Sequence, residues 1–309
     1  VKPKLQVLIL RSVALATRLE GSGLEQRDSL PRIGAFKGGR VREAQPAEHI
    51  SERASVAAGV ARRAGKRMLE RLSGGARLET SLKGPQDYVT AVDHEIEAFI
   101  REQVSARFPH DTLLCEEGGG EVSRATWVVD PIDGTANFAH GVEHFAVSIG
   151  FVVEGKPAFG VIYDPTTDLL FSAAAGAGAF LNGRRIEVSE VAKLDEASVE
   201  MGCWRRRPPA ANYTDAIHRV LVAGASFRWA GSAALALADV ARGASDGFYG
   251  LHLQPWDALA GILLVAEAGG MVSDFLADDG LRRGNELLAS NPILFAPLRR
   301  IIAAPPSVS

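Results

Sequence analysis

From Ile50 onward, apolar side chains recur at three- and four-residue steps. Ile50, Ala54, Ala57, Ala61, Ala64, Met68 and Leu72 lie on one face, and Arg53, Arg62, Arg63, Arg67 and Arg71 fall between them. That spacing predicts a one-sided helix closed by Ser73-Gly74-Gly75. A second helix is predicted after Asp93, with Ile96, Phe99, Ile100, Val104 and Phe108 inward and Pro109 as the stop. The period then shortens. Thr126 to Val129 is an apolar run halted by Asp130-Pro131, and it predicts a strand that ends there. Phe145–Val153 and Ala158–Tyr163 flank Glu154-Gly155-Lys156-Pro157 as a hairpin. Further strands are predicted at Leu169–Ala173, Ala179–Leu181, Phe227–Trp229, Gly247–Tyr249, Met271–Ser273 and Leu287–Ala289, with helices at Tyr213–Val222, Ser232–Ala241 and Asp257–Ala268. Consecutive strands in the middle, with helices on both sides, indicate an α+β arrangement of layered sheets.

Composition narrows the function classes. The chain has 309 residues, a net charge of -3 and 47% hydrophobic residues, enough for a substantial core and without the basic footprint of a nucleic-acid binder. No apolar run reaches membrane-spanning length, so a soluble protein is expected. Cys115 and Cys203 match neither zinc spacing nor a disulfide framework, which points to a reducing, cytoplasmic setting. Residues 1–47 are richer in Lys and Arg than in acids, and Arg11 interrupts the apolar stretch Leu5–Leu10. They read as a disordered leader ahead of one domain over 48–309.

The chemistry concentrates in four acidic segments. Cys115-Glu116-Glu117-Gly118 follows an apolar pair, and Asp130-Pro131-Ile132-Asp133-Gly134-Thr135 ends a strand. Pro255-Trp256-Asp257 opens a helix, and Lys83 to Asp93 precedes another. Carboxylate and carbonyl oxygens suit a hard cation such as Mg²⁺. Asp130 and Asp133 straddle a proline, so both can face one cleft, and Gly134-Thr135 can begin a helix whose amides meet a phosphate oxygen. Singly, an Asp-Pro pair after a strand is usually a turn, Glu116-Glu117 a solvated loop and Asp257 a helix cap.

Together they resemble the inositol monophosphatase family of lithium-sensitive, magnesium-dependent phosphatases. Trp127-Val-Val-Asp-Pro-Ile-Asp-Gly-Thr135 is similar to one family signature, and Trp256-Asp257 through Glu267-Ala268-Gly269-Gly270 to the other. The resemblance runs from about Ile50 to Ile301. It implies an α-β-α-β-α sandwich of the inositol monophosphatase and fructose-1,6-bisphosphatase type, often a homodimer, that hydrolyses a small phosphorylated metabolite with metal-activated water. By the same resemblance, Glu116, Asp130 and the Ile132 carbonyl hold one Mg²⁺. Asp130, Asp133 and Asp257 hold a second. Thr135 with Asp93 orients the water, and Lys83 and Asp87 lie on a mobile loop that closes the site.

Asp133, Gly134 and Thr135 are expected to meet the phosphate, while Arg228, Gly231, Ser232 and Ala233 match the family's substrate-lining segment. Many inositol-hydrolysing members carry a glutamate seven residues before the Trp-Asp aspartate, where this chain has Gly250, followed by His252. The expected substrate is therefore inositol 1-monophosphate or a related polyol or sugar phosphate. Histidinol phosphate and 3′-phosphoadenosine nucleotides are the alternatives on the same machinery. A non-catalytic regulatory protein keeping the fold is the alternative of another class.

Overall fold

The structure is a computed structural model that describes residues 46–73, 80–84, 87–202 and 210–303. The leader read over 1–47 lies, up to residue 45, outside the described residues, as does Cys203. Helix α1 (Pro46–Ser73) is followed by a two-stranded ribbon, β1 (Thr80–Gly84) and β2 (Asp87–Thr90). Next come α2 (Ala91–Arg107), β3 (Thr112–Cys115), β4 (Gly119–Gly120), β5 (Ala125–Asp133) and the one-turn helix α3 (Thr135–Ala139). Strands β6 (Ala146–Val153), β7 (Lys156–Asp164), β8 (Leu169–Ala174), β9 (Gly178–Leu181) and β10 (Arg184–Ile186) complete an eight-stranded sheet of order β10-β9-β8-β7-β6-β5-β3-β4.

The second half builds a five-stranded sheet. Its elements are β11 (Ser198–Gly202), α4 (Ala210–Val222), β12 (Ser226–Arg228), α5 (Ala233–Ala241), β13 (Gly247–Leu253), α6 (Pro255–Glu267), β14 (Met271–Val272), α7 (Gly280–Arg283), β15 (Asn285–Ser290) and α8 (Pro292–Ile302). The order is β12-β11-β13-β15-β14, with β12, β11 and β13 parallel.

Helices α1 and α2 cover one face of the large sheet, and α5 and α6 lie between the two sheets. α4 and α8 close the outer face of the smaller sheet. The result is the expected α-β-α-β-α sandwich. α6 is apolar nearly all round because it is sandwiched, with Ala258, Leu259, Ala260, Leu264 and Val265 buried. Its seat is cut by glycines: a Cβ on Gly160 would come within 2.8 Å of the Ala260 backbone, and one on Gly261 within 2.5 Å of Leu237. The close approach fixes where the first turn of α6, and hence Asp257, must sit.

Most predicted elements appear within a few residues of their expected limits. Three differ. β5 does not stop at Asp130 but runs through Pro131 to Asp133, its pairing with β6 shifting register between those two aspartates. Proline lacks the ladder N–H, and the irregularity is where a strand tolerates it. The Lys83–Asp87 segment, expected as a loop, is an antiparallel ribbon in which Gly84 pairs with Asp87. β11 and α8 were not foreseen: β11 is only five residues long, and α8 begins at Pro292 and contains Pro297.

Candidate active site

β5 delivers two carboxylates to one point. Asp130 and Asp133 are 2% and 6% exposed, and with Asp257 each offers an oxygen lying within 4.8 Å of the others'. Each also accepts hydrogen bonds that hold it in place. Asp130 Oδ1 accepts from Ile132 N at 2.9 Å, an Asx turn across the proline. Asp257 Oδ2 accepts from Gln254 N at 2.9 Å, as the third residue of α6 should in a capping box. Asp133 Oδ2 accepts from Ala234 N at 2.9 Å and from Ser232 Oγ, so a strand of the large sheet ends on the N-terminus of α5.

Three acids cannot remain ionised so close together without a counter-ion. Burial, and then the charge of Asp133, push the Asp257 carboxyl up to about 7. Burial raises Asp130 well above the usual carboxylate range, reinforced by Glu116, Asp133, Asp257 and Asp93 in turn. Burial raises Asp133 as well, opposed by the bond from Ser232. The cluster is a set of hard oxygen donors that a divalent cation would satisfy, with Mg²⁺ fitting the carboxylate chemistry. Glu116 stands beside it: its N–H donates to Val129 O at 3.2 Å, one residue before Asp130.

Thr135 opens α3 after Gly134, whose φ of 98° turns the chain out of β5. Its Oγ1 is 3.1 Å from Asp93 Oδ1 and 2.9 Å from the Ile132 carbonyl. Asp93 is wholly buried, and its other oxygen accepts from Thr90 N at 2.8 Å and Thr90 Oγ1 at 2.6 Å. Burial raises its carboxyl above the ordinary value despite those bonds. α3 spans only five residues, so little dipole backs its first amides. β2 packs on α3, which brings the ribbon bearing Lys83 and Asp87 beside Thr135. The side chains of those two residues are outside what the structure describes.

On the other side, Arg228 ends β12 with its side chain exposed. Ser232 is buried and turned to Asp133, with Ala233 next to it opening α5. Gly231 has φ 87°, and a Cβ there would meet Asn137 Nδ2 at 2.9 Å. Asn137 Nδ2 donates to His144 O and to Ala230 O, at 2.7 and 2.8 Å, tying α3 to this segment. Sequence reading missed Asn137 and the bond from Ser232, although a serine just before an apolar helix is an N-cap signal. Gly250 lies inside β13, paired with Gly202 and Leu287, with no left-handed φ. His252 borders a cavity of about 390 Å³ lined also by Asp278, Arg283, Gly284 and Asn285.

The sequence profile of the inositol monophosphatase family matches residues 49–304. "Nus factor SuhB" of Salmonella typhimurium is 40% identical over 242 residues, 77% of this chain and 91% of that protein. "Inositol-1-monophosphatase" of Mesorhizobium japonicum is 39% identical over 232 residues, 74% of this chain and 87% of that protein. The crystal structure of extragenic suppressor protein suhB from Bartonella henselae superposes with a TM-score of 0.75 at 38% identity, covering 80% of this chain and 97% of that one. The chain belongs to the inositol monophosphatase family.

Proposed function

We propose that this protein is a Mg²⁺-dependent phosphomonoesterase acting on inositol 1-monophosphate or a related polyol or sugar phosphate. The observation that carries the reading is the convergence of Asp130, Asp133 and Asp257, two of them almost fully buried, within 4.8 Å. A fold does not gather three carboxylates at such electrostatic cost for packing alone. Bound Mg²⁺ would neutralise the phosphoryl oxygens and lower the pKa of the attacking water.

The chain's own residues supply the rest. Asp130, Asp133 and Asp257 hold the cation set, with Glu116 beside them. Thr135 faces the water: it takes the water's proton and gives its own hydroxyl proton to Asp93, whose raised carboxyl is a correspondingly better acceptor. The water oxygen forms the new P–O bond as the ester P–O bond breaks; the leaving oxygen takes up a proton from solvent, and the proton held on Asp93 returns to solvent. Nothing in the arrangement calls for a covalent enzyme intermediate.

A second reading, a regulatory protein keeping the fold, is favoured by relatives bearing the name Nus factor at 40% identity. Phosphate release from a panel of monoesters, with Mg²⁺ and with EDTA, separates the two. Mg²⁺-dependent turnover on a polyol phosphate is expected, and no release from any ester at saturating Mg²⁺ would leave the regulatory reading standing.

A further inference from the structure

Glu116 sits on a tight turn between β3 and β4, where Gly119 and Gly120 have φ of 60° and 147°. Past Glu116 such a turn leaves amides without strand partners, and a ligand carried on it would wander. Here the amides are taken by a buried carboxylate from another element. Glu97, 4% exposed on α2, accepts from Glu117 N through Oε2 at 2.8 Å and from Gly118 N through Oε1 at 2.9 Å. Arg101, one turn further along α2, donates Nε to Glu97 Oε1 at 2.8 Å and Nη2 to the Gly119 carbonyl. Thus two side chains grip three consecutive residues directly after Glu116.

The turn is shaped for the grip. A Cβ on Gly118 would stand 2.6 Å from Glu97 Oε1 and 3.0 Å from Arg101 Nη2. Gly118 has no positive φ, so its missing side chain answers to this contact and not to backbone conformation. The Glu97 charge is also felt next door: after burial, it is the larger reason that the Cys115 thiol is pushed up to about 12, while Arg101 pulls the other way. Glu97 lies four residues after Asp93, so both carboxylates project from the same face of α2. One rigid helix therefore holds Thr135 through Asp93 and the Glu116 turn through Glu97.

We infer that Glu97, locked by Arg101, is a positioning residue that fixes the Glu116 turn for divalent-cation binding. The inference rests on the metal-site reading above. A group that orients a ligand without touching the metal changes metal affinity by about 10- to 100-fold. At saturating metal the ligand is drawn back into place, so turnover recovers.

The test measures Mn²⁺ binding to the full chain without substrate, by electron paramagnetic resonance and calorimetry, alongside the Mg²⁺ dependence of phosphate release. Glu97→Gln keeps size but loses the charge and one of the two acceptors. It is expected to weaken Mn²⁺ binding about 10- to 100-fold and raise the Mg²⁺ needed for half-maximal rate in step, with kcat at saturation within about twofold. Gly118→Ala presses on the same contact with every charge retained, and it carries the test if Glu97→Gln does not fold. The double variant should bind no more weakly than the worse single one. A lowered Tm with unchanged Mn²⁺ affinity in the folded variants would overturn the inference, leaving Glu97 as structural support. Failure of the wild type itself to bind Mn²⁺ would instead sink the metal-site reading.

Discussion

The two sheets contribute to the cleft in different ways. At the β5 end of the large sheet every acid is tied: Asp130 to Ile132 N, Asp93 to Thr90 and Thr135, and the Glu116 turn to Glu97. On the parallel strands β12 and β13 of the small sheet, the candidate substrate contacts are an exposed Arg228 at the carboxyl end of β12, a mid-strand Gly250 with no side chain, and a His252 near the carboxyl end of β13 at the edge of an open cavity. Parallel strands commonly present ligand sites at that end, where loops can change without disturbing the ladder. On the proposed function, the contrast would separate a built reaction centre from a surface that selects the leaving group. Three residues cross between them: Asp257 on α6, Ser232, which grips Asp133 from the head of α5, and Asn137, which donates to Ala230 O.

The largest effect should come from removing the most buried acid of the cluster. Asp130→Asn is expected to take phosphate release to near background, well beyond the roughly 100-fold that an orienting neighbour costs. The same change removes one buried like charge, so in EDTA the variant should melt higher than the wild type. Loss of activity together with gain of metal-free stability is the signature. If Asp130→Asn retained wild-type turnover, the reaction centre would have to be sought elsewhere.

The acid cluster also fixes the sign of a pH effect. Asp257 titrates near 7 when folded against 3.8 for the ordinary carboxyl, and Asp130 and Asp133 shift the same way. Between those values the folded, metal-free protein holds protons that the unfolded chain has released, so its stability falls as pH rises from about 4 to 7. Mg²⁺ bound to the ionised cluster would be expected to flatten or reverse that slope. Thermal melts across this range, in EDTA and in Mg²⁺, measure it. A metal-free Tm that climbs steadily over the window would mean that the acids are not mutually strained.

A smaller loss is expected at Thr135. Thr135→Ala removes the hydroxyl between Asp93 and the water, and kcat should fall about 10²-fold, the lower end for a proton-handling group. KM should change little, and Thr135→Ser should restore most of the rate. An equal loss in the serine variant would point to the Thr135 methyl group and against proton handling.

How much of this was legible in the sequence follows the same division. The acids of β5 and α6 stand beside a proline, a tryptophan and helix-start signals, so local pattern marked them as candidates and the family resemblance joined them into one set. The Thr135–Asp93 contact spans 42 residues and was reached through family resemblance, not periodicity. The Ser232–Asp133 bond spans 99 residues and the Asn137–Ala230 bond 93, and neither leaves a periodic trace. β11 was missed because it is a short strand whose apolar Val199 and Met201 alternate with a buried Glu200. The run of β5 through Pro131 was missed because a proline after an aspartate ordinarily marks a turn, and only pairing with β6 overrides it.

The smallest expected effect tests the substrate side. A glutamate at position 250 would offer a carboxylate to ring hydroxyls, a charge-assisted bond worth roughly 1.5–3 kcal/mol. The site is not empty, however. A Cβ on Gly250 would lie 2.9 Å from Leu253 Cγ and 3.2 Å from Leu253 Cδ1, so the leucine must shift before the longer side chain can extend. Leu253 is 3% exposed and packs in the core between the sheets, which makes that shift costly and cuts into the gain. Gly250→Glu should therefore raise kcat/KM for inositol 1-phosphate by no more than about tenfold, one decade for each 1.4 kcal/mol that survives. Gly250→Ala imposes the same crowding without the carboxylate, and it should lower kcat/KM for every ester alike. The ratio of the two variants on inositol phosphate, against the same ratio on the best ester of the panel, isolates hydroxyl recognition from strain. A ratio near one on both substrates would place substrate reading away from β13, and the division of labour between the two sheets would then rest on Arg228 and its neighbours alone.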